Sequence, residues 1–244
     1  MLVLLPPSET KAPGGDGPPL RLDALSHPEL TPARRKLIDE LVTLAGNVPV
    51  GLAALGLSER QRGELERNAA LWTAPTLPAL HRYTGVLYAA LDTGSLRPAQ
   101  RARLAVASAL FGLLAADDPI PAYRCSAGCA LSGVGPLRSL WRPVLVPLLA
   151  GVGGLVVDLR SGGYTALGPV PGAVTVGVLS DDGHGRRRPV SHHNKSHKGR
   201  LARLLATAPG EASDADGVAR IARQGGLRVQ RTGEHTLELV VDIC

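Results

Sequence analysis

Aromatic side chains are scarce in this chain: Phe, Trp and Tyr make up 3% of 244 residues, with a single Phe. A core with so few rings must be filled by Leu, Val and Ala. Cysteine is also rare, and three residues cannot supply the framework of a small disulfide-stapled domain. No apolar run reaches the roughly 20 residues a membrane span needs. The longest, from Pro143 to Val157, is broken by Pro147, Gly151, Gly153 and Gly154. The opening Met1-Leu-Val-Leu-Leu-Pro-Pro has neither the basic start nor the small-residue cleavage site of a signal peptide. The expectation is a cytoplasmic protein with no membrane partner. Acidic residues are missing from one long stretch: Gly183 to Gly210 contains none.

What is present describes an ordinary folding chain, with 44% hydrophobic and 20% charged residues. Its length suffices for one large domain or two small ones. The net charge is +6, and the acid-free stretch alone holds Arg186, Arg187, Arg188, Lys195, Lys198, Arg200 and Arg203. Such a segment suits an anionic partner.

Periodicity and punctuation predict the elements. Leu2 to Leu5 reads as a buried strand, and Ala12 to Pro19, rich in Gly and Pro, as a mobile loop. A helix is expected over Thr31 to Ala45, with Pro32 at its start. Ser58-Glu-Arg-Gln61 has the spacing of a capping box. Thr76 to Leu91 reads as a helix interrupted near Tyr83-Thr84-Gly85, and Pro98 to Leu114 as a further helix. An apolar helix is expected from Pro136 to Leu149. Strands follow at Leu155 to Leu159 and Val174 to Leu179, the latter turning through Asp181 to Arg186 into a partner at Arg187 to His192. Helices are expected at Ser196 to Leu205 and Asp214 to Arg223, then a closing hairpin over Gly226 to Arg231 and His235 to Val241. The predicted architecture is one compact α/β (α+β) domain covering 1–244. A mixed sheet is drawn from both chain ends around a helical middle.

Three loops carry groups with chemistry. Ser8, Glu9, Thr10 and Lys11 follow the first strand, where α/β domains expose functional side chains. Glu9 is a candidate acid/base and Lys11 a candidate phosphate ligand, although a solvated turn pairing the two fits equally. Arg160-Ser161-Gly162-Gly163-Tyr164 follows the Asp158 strand and offers glycine amides to an anion, with Tyr164 as a polar-tipped stacking surface. An ordinary tight turn is the competing reading. Ser191-His-His-Asn-Lys-Ser-His-Lys-Gly-Arg200 joins a strand to a helix, with Lys195, Lys198 and Arg200 near the helix start. Cations there oppose the helix dipole unless an anion docks on them. No metal site is expected: His192 and His193 point to opposite strand faces, and Cys125 with Cys129 lacks a second ligand pair. Leu131-Ser-Gly-Val-Gly-Pro-Leu137 resembles a helix-hairpin-helix turn, which requires a helix ending before Gly133 and one starting at Pro136; a plain Gly-rich turn is the favoured reading of these residues.

These residues, in order, resemble the YaaA family of peroxide-stress proteins. The resemblance runs through Met1 to Lys11, Tyr83-Thr84-Gly85, Ala107 to Leu114 with Pro121-Ala-Tyr123-Arg124, Asp158 to Tyr164, and Val174 to Arg203. It implies a single domain with a helix-hairpin-helix-like element, binding to DNA (duplex or branched), and a role in limiting oxidative damage linked to intracellular iron. The sequence departs from the family pattern at Ser8-Glu9 and at His192-His193-Asn194. An enzyme acting on a nucleotide, nucleoside or nucleic-acid base remains the alternative. It would use Glu9 or Asp158 as acid/base, with Lys198, Arg200, Arg124, Lys11 and Ser161 holding phosphate and Ser8, Tyr83, Thr84 and Tyr123 lining the pocket. Iron held by His192, His193, His197 and the cysteines is a third reading, disfavoured because no carboxylate–histidine set has ligand spacing. No cofactor is expected.

Overall fold

The computed structural model describes residues 1–181, 187–189 and 194–242. The expected turn at 182–186, together with His192, His193 and Cys244, lies outside the described residues.

An eight-stranded mixed sheet organises the chain. Its strands are β1 (Leu2–Leu5), β2 (Leu104–Ser108), β3 (Gly112–Ala115), β4 (Val156–Asp158), β5 (Val174–Asp181), β6 (Arg187–Pro189), β7 (Val229–Gly233) and β8 (Thr236–Asp242). The spatial order is β7-β8-β5-β4-β1-β2-β3, with β6 paired to β5. The five inner strands from β8 to β2 run parallel, and hairpins close both ends. The α/β expectation therefore holds. The strand following β1 in this sheet lies on one side of it and β4 lies on the other. Connections leaving β1 and β4 diverge, which opens a crevice at their carboxyl ends.

Five helices bear on the argument: α1 (Thr31–Ala45), α2 (Val86–Leu91), α3 (Leu137–Ala150), α4 (Asn194–Thr207) and α5 (Ala215–Gln224). The first has the bounds its pattern predicts, because Leu37, Ile38, Leu41 and Leu44 make one buried stripe. Strand β5 alternates as expected, with Val174, Val176 and Val178 buried. At Ser58 the capping box is present, although it opens a single 3-10 turn before a short helix.

One element is overturned. The helix expected over Pro98 to Leu114 stops at Arg101, and the chain then forms β2 and β3 at the sheet's edge. Every residue of β2 is buried. A strand covered on both faces loses the two-residue alternation and reads as an unbroken apolar run, which periodicity cannot separate from a buried helix. The middle of the chain thus contributes sheet as well as helix.

The turn at 131–137 lacks the first helix of a helix-hairpin-helix and is a Gly-rich hairpin turn. Ala130–Leu131 and Gly135–Pro136 form a two-stranded hairpin that leads into α3. A strand stands where a helix-hairpin-helix needs its first helix. The amide such a motif would offer to phosphate is already engaged: Gly133 N–H donates to the Glu40 carboxylate at 2.9 Å. The segment at 12–19 carries fixed contacts. Gly17–Pro19 pairs with Pro75–Pro78, and the buried Arg82 guanidinium donates to the carbonyls of Ala12 and Gly14.

Candidate anion site at the carboxyl ends of β1 and β4

The chain leaves β1 through Pro6-Pro7, and residues 10–12 then run beside residues 82–84. Thr84 N–H donates to Thr10 O at 3.2 Å and Ala12 N–H to Arg82 O at 2.9 Å. This pairing brings Lys11 opposite Tyr83. Gly85 makes the approach feasible: its φ is +99°, and a Cβ there would sit 3.1 Å from Ser8 Oγ and 3.2 Å from Thr10 Oγ1. Ser8 and Thr10 hydroxyls meet at 3.0 Å, and Thr84 is half-buried beside them.

Lys11 is 8% exposed, unusual for a lysine without a carboxylate bonded to it. Its amine donates to the carbonyls of Ser8 at 3.0 Å and Glu9 at 3.4 Å. It lies 4.2 Å from the Tyr123 ring centre and 5.5 Å from that of Tyr83. Burial, with the Arg124 guanidinium adding repulsion, pushes its pKa down to about 8. The two tyrosine hydroxyls are 2.7 Å apart, and Tyr123 is also 2.7 Å from Ser108 Oγ. Burial pushes the Tyr83 phenol up to about 12 and moves Tyr123 upward as well. Both stay neutral at physiological pH and act as a rigid wall.

Arg124 reaches Glu9 at 3.3 Å. Glu9 is well exposed, so this pair adds little stability. The backbone of Arg124 is held from both sides by the fully buried Asn68, which donates to its carbonyl and accepts from its amide, each at 2.8 Å. Next in sequence, Cys125 and Cys129 are both buried. The Cys129 thiol accepts from Ser126 N–H at 3.1 Å and lies 3.4 Å from Ser126 Oγ. Its pKa is held down to about 6, first by the thiol of Cys125 and then by Ser126, against burial. Tyr164 closes this side: it is partly buried, and burial moves its pKa upward.

The second loop behaves differently. Asp158 is buried and held by Arg160 at 2.6 Å and 2.8 Å, with Arg160 N–H donating at 3.0 Å. Three of the carboxylate's roughly four lone-pair sites are taken by Arg160, which fits a structural ion pair better than an acid/base role. Ser161 is exposed, and its carbonyl accepts from Tyr164 and Thr165 as one helical turn begins. Lys198, on α4, donates to Leu159 O at 3.1 Å, and burial pushes its pKa down. Lys195 and Arg200 are exposed on the same two turns. The structure thus gathers Lys11, Arg124, Tyr83, Tyr123 and Tyr164 into one cluster, and ties Lys198 to the end of β4. Among the described residues no three His, Cys, Asp or Glu side chains converge as a metal would require. No helix among them is long and apolar enough to cross a membrane.

Sequence reasoning missed Asn68 and Ser108, whose partners at the site, Arg124 and Tyr123, are remote in sequence. It noted the spacing of Cys125 and Cys129 but weighed it only for metal.

The Lys11 shift has a testable sign. Below pH 8 the amine is charged in both folded and unfolded chains, and burying that charge costs stability. Between about 8 and 10.5 the folded amine is neutral while the unfolded one still holds a proton, so stability rises with pH. Relative to Lys11→Met, the wild type should gain about 2 kcal/mol between pH 7 and 9.5, read from urea midpoints. A difference that stays flat with pH means the amine is hydrated.

A family profile described as peroxide stress protein YaaA matches residues 1–231. A UPF0246 protein of Corynebacterium efficiens is 51% identical over 247 residues, covering 99% of this chain and all of its own length. One from Corynebacterium glutamicum is 49% identical over the same span. One from Streptomyces coelicolor is 48% identical over 220 residues, or 85% of this chain and 84% of its own. Together with the residues gathered at the ends of β1 and β4, these matches put the chain in the YaaA (UPF0246) family of peroxide stress proteins.

Proposed function

We propose that this chain serves in the response to peroxide by binding DNA, duplex or branched, and so limits oxidative damage linked to intracellular iron. One observation carries the reading: Lys195, Lys198 and Arg200 occupy the first two turns of α4, and no acid shares the first turn. Placing cations at a helix amino end is unfavourable by a few tenths of a kcal/mol each, and a phosphate reverses that sign. Lys198 stands against Leu159 at the end of β4, so the same phosphate chain would run toward the β1 loop and Arg124. The match to a helix-hairpin-helix contributes nothing here, because Glu40 engages its amide.

Changing Lys195, Lys198 and Arg200 to Ala tests this by fluorescence anisotropy against duplex and forked DNA. Three lost phosphate contacts should reduce the slope of log affinity against log salt by about 2.7. Between 50 and 200 mM salt these contacts alone account for a roughly 40-fold fall in wild-type affinity. An unchanged slope in the variant removes α4 from the interface.

A second reading, an enzyme acting on a nucleotide, nucleoside or base, is favoured by Lys11. A buried amine whose pKa is about 8, beside Arg124, is partly neutral near physiological pH and able to exchange a proton. Chromatography of nucleosides and nucleotides after incubation would reveal a product that Lys11→Met fails to make; unchanged substrates end this reading.

A further inference from the structure

The turn carrying Cys125 and Cys129 holds chemistry that phosphate binding does not use. Cys125 and Cys129, four residues apart in sequence, are both buried on a turn in which Cys129 N–H donates to Ser126 O at 3.0 Å. Two groups are arranged on the Cys129 sulfur, Ser126 N–H at 3.1 Å and the Ser126 hydroxyl at 3.4 Å, while the Cys125 thiol lies 3.9 Å from Ser126 O. Two cations, Lys11 and Arg124, stand on the same side of the fold, and both act on Cys125. A cysteine that serves only as a small core residue needs none of these donors. A sulfur that accepts from such donors, with Arg124 nearby, is stabilised as a thiolate, the form that attacks electrophiles.

We propose that Cys129 and Cys125 form a peroxide-reactive dithiol, with Cys129 as the nucleophile, Cys125 as the resolving thiol, and hydrogen peroxide or a small alkyl hydroperoxide as the oxidant. The Cys129 thiolate attacks the terminal peroxide oxygen. The O–O bond breaks, an S–O bond forms, and the leaving hydroxide or alkoxide takes the proton Cys129 had lost, departing as water or alcohol. The sulfenic acid at Cys129 is then attacked by Cys125; the S–O bond breaks, an S–S bond forms, and the hydroxyl leaves as a second water with the Cys125 proton. Two thiols are oxidised and one peroxide is reduced, so the balance is closed without a further reactant. Until the first step, the Cys129 thiolate and burial hold the Cys125 proton on. Once Cys129 is oxidised that opposing charge is gone, while Lys11 and Arg124 remain to favour the Cys125 thiolate.

Placement explains what the reaction would report. Cys125 directly follows Arg124, whose backbone is clamped by Asn68 and whose guanidinium reaches Glu9. Closing the 125–129 loop as a disulfide therefore acts beside the candidate anion site. The choice of a hydroperoxide rests on the peroxide-stress reading of the family; the dithiol chemistry rests on the contacts at Cys129, the four-residue spacing and the nearby cations.

The test uses the full chain, reduced and free of nucleic acid, exposed to hydrogen peroxide and mapped by peptide mass spectrometry. The wild type should lose two hydrogens between Cys125 and Cys129, regain them with dithiothreitol, and keep Cys244 as a thiol. Cys125→Ser should accumulate a dimedone adduct at Cys129, and Cys129→Ser should consume peroxide at least about tenfold more slowly. Both thiols surviving in the wild type, pairing of either with Cys244, or an adduct forming at Cys125 rather than Cys129 would each overturn the proposal. The wild-type map decides the matter even if a serine variant fails to fold. DNA binding is measured separately on the reduced protein, so its failure leaves the dithiol result standing, and the converse holds.

Discussion

Asp158→Ala should lower the unfolding free energy by about 3–5 kcal/mol, because it leaves the Arg160 guanidinium buried without its partner. Asp158 and Arg160 side chains are 4% and 1% exposed, and their contact is bidentate, with a further Arg160 donation to Gly168 O at 2.9 Å. Water cannot take the carboxylate's place. The Asp158 charge also favours the protonated form of Lys198, so the loss spreads to α4. Exchanging both partners for apolar residues, Asp158→Leu with Arg160→Met, should recover most of the stability, since neither member is then left charged and buried. Urea denaturation of the two variants measures both effects. A single-variant loss below about 1 kcal/mol would show that solvent reaches the pair, and Asp158 would return as an acid/base candidate.

Gly199→Ala should destabilise the protein by about 2 kcal/mol, although alanine improves helix propensity by roughly 1 kcal/mol over glycine. Gly199 sits in α4 where that helix crosses α2. An added Cβ would lie 2.2 Å from Leu87 O and 2.9 Å from the Ala90 Cβ. One contact is with backbone, which has no rotamer to yield, so the helices must part. Lys198 would then lose its reach to Leu159 O and the thermal midpoint should fall; if α4 binds phosphate as proposed, DNA affinity falls with it. A variant as stable as the wild type, with unchanged affinity, would mean the two helices are not in contact at that position.

Much of the fold was legible because its signals are local. Leu37, Ile38, Leu41 and Leu44 recur at helical spacing in α1, and Val174, Val176 and Val178 alternate in β5. Asp214 caps α5 through its side chain, accepting from Gly217 N–H at 2.7 Å, a contact written within four residues. Strand β2, which lies just inside the edge strand β3, was not legible. Burial on both faces erases its period, and only the sheet's order reveals that both faces are covered.

The site divides along the same line. Sequence alone determined which loops carry polar chemistry: Ser8 to Lys11, Arg160 to Tyr164, and the acid-free run ending in α4. It also fixed the four-residue spacing of Cys125 and Cys129, and the family to which the chain belongs. Only tertiary structure decided the state of each group. It withdrew Asp158 into an ion pair with Arg160, committed the Gly133 amide to Glu40, and buried Lys11 between two tyrosines beside Arg124. It also set Asn68, 56 residues away in sequence, against the Arg124 backbone. Burial and like-charge proximity depend on distances between segments far apart in the chain, and no local pattern of residues encodes them.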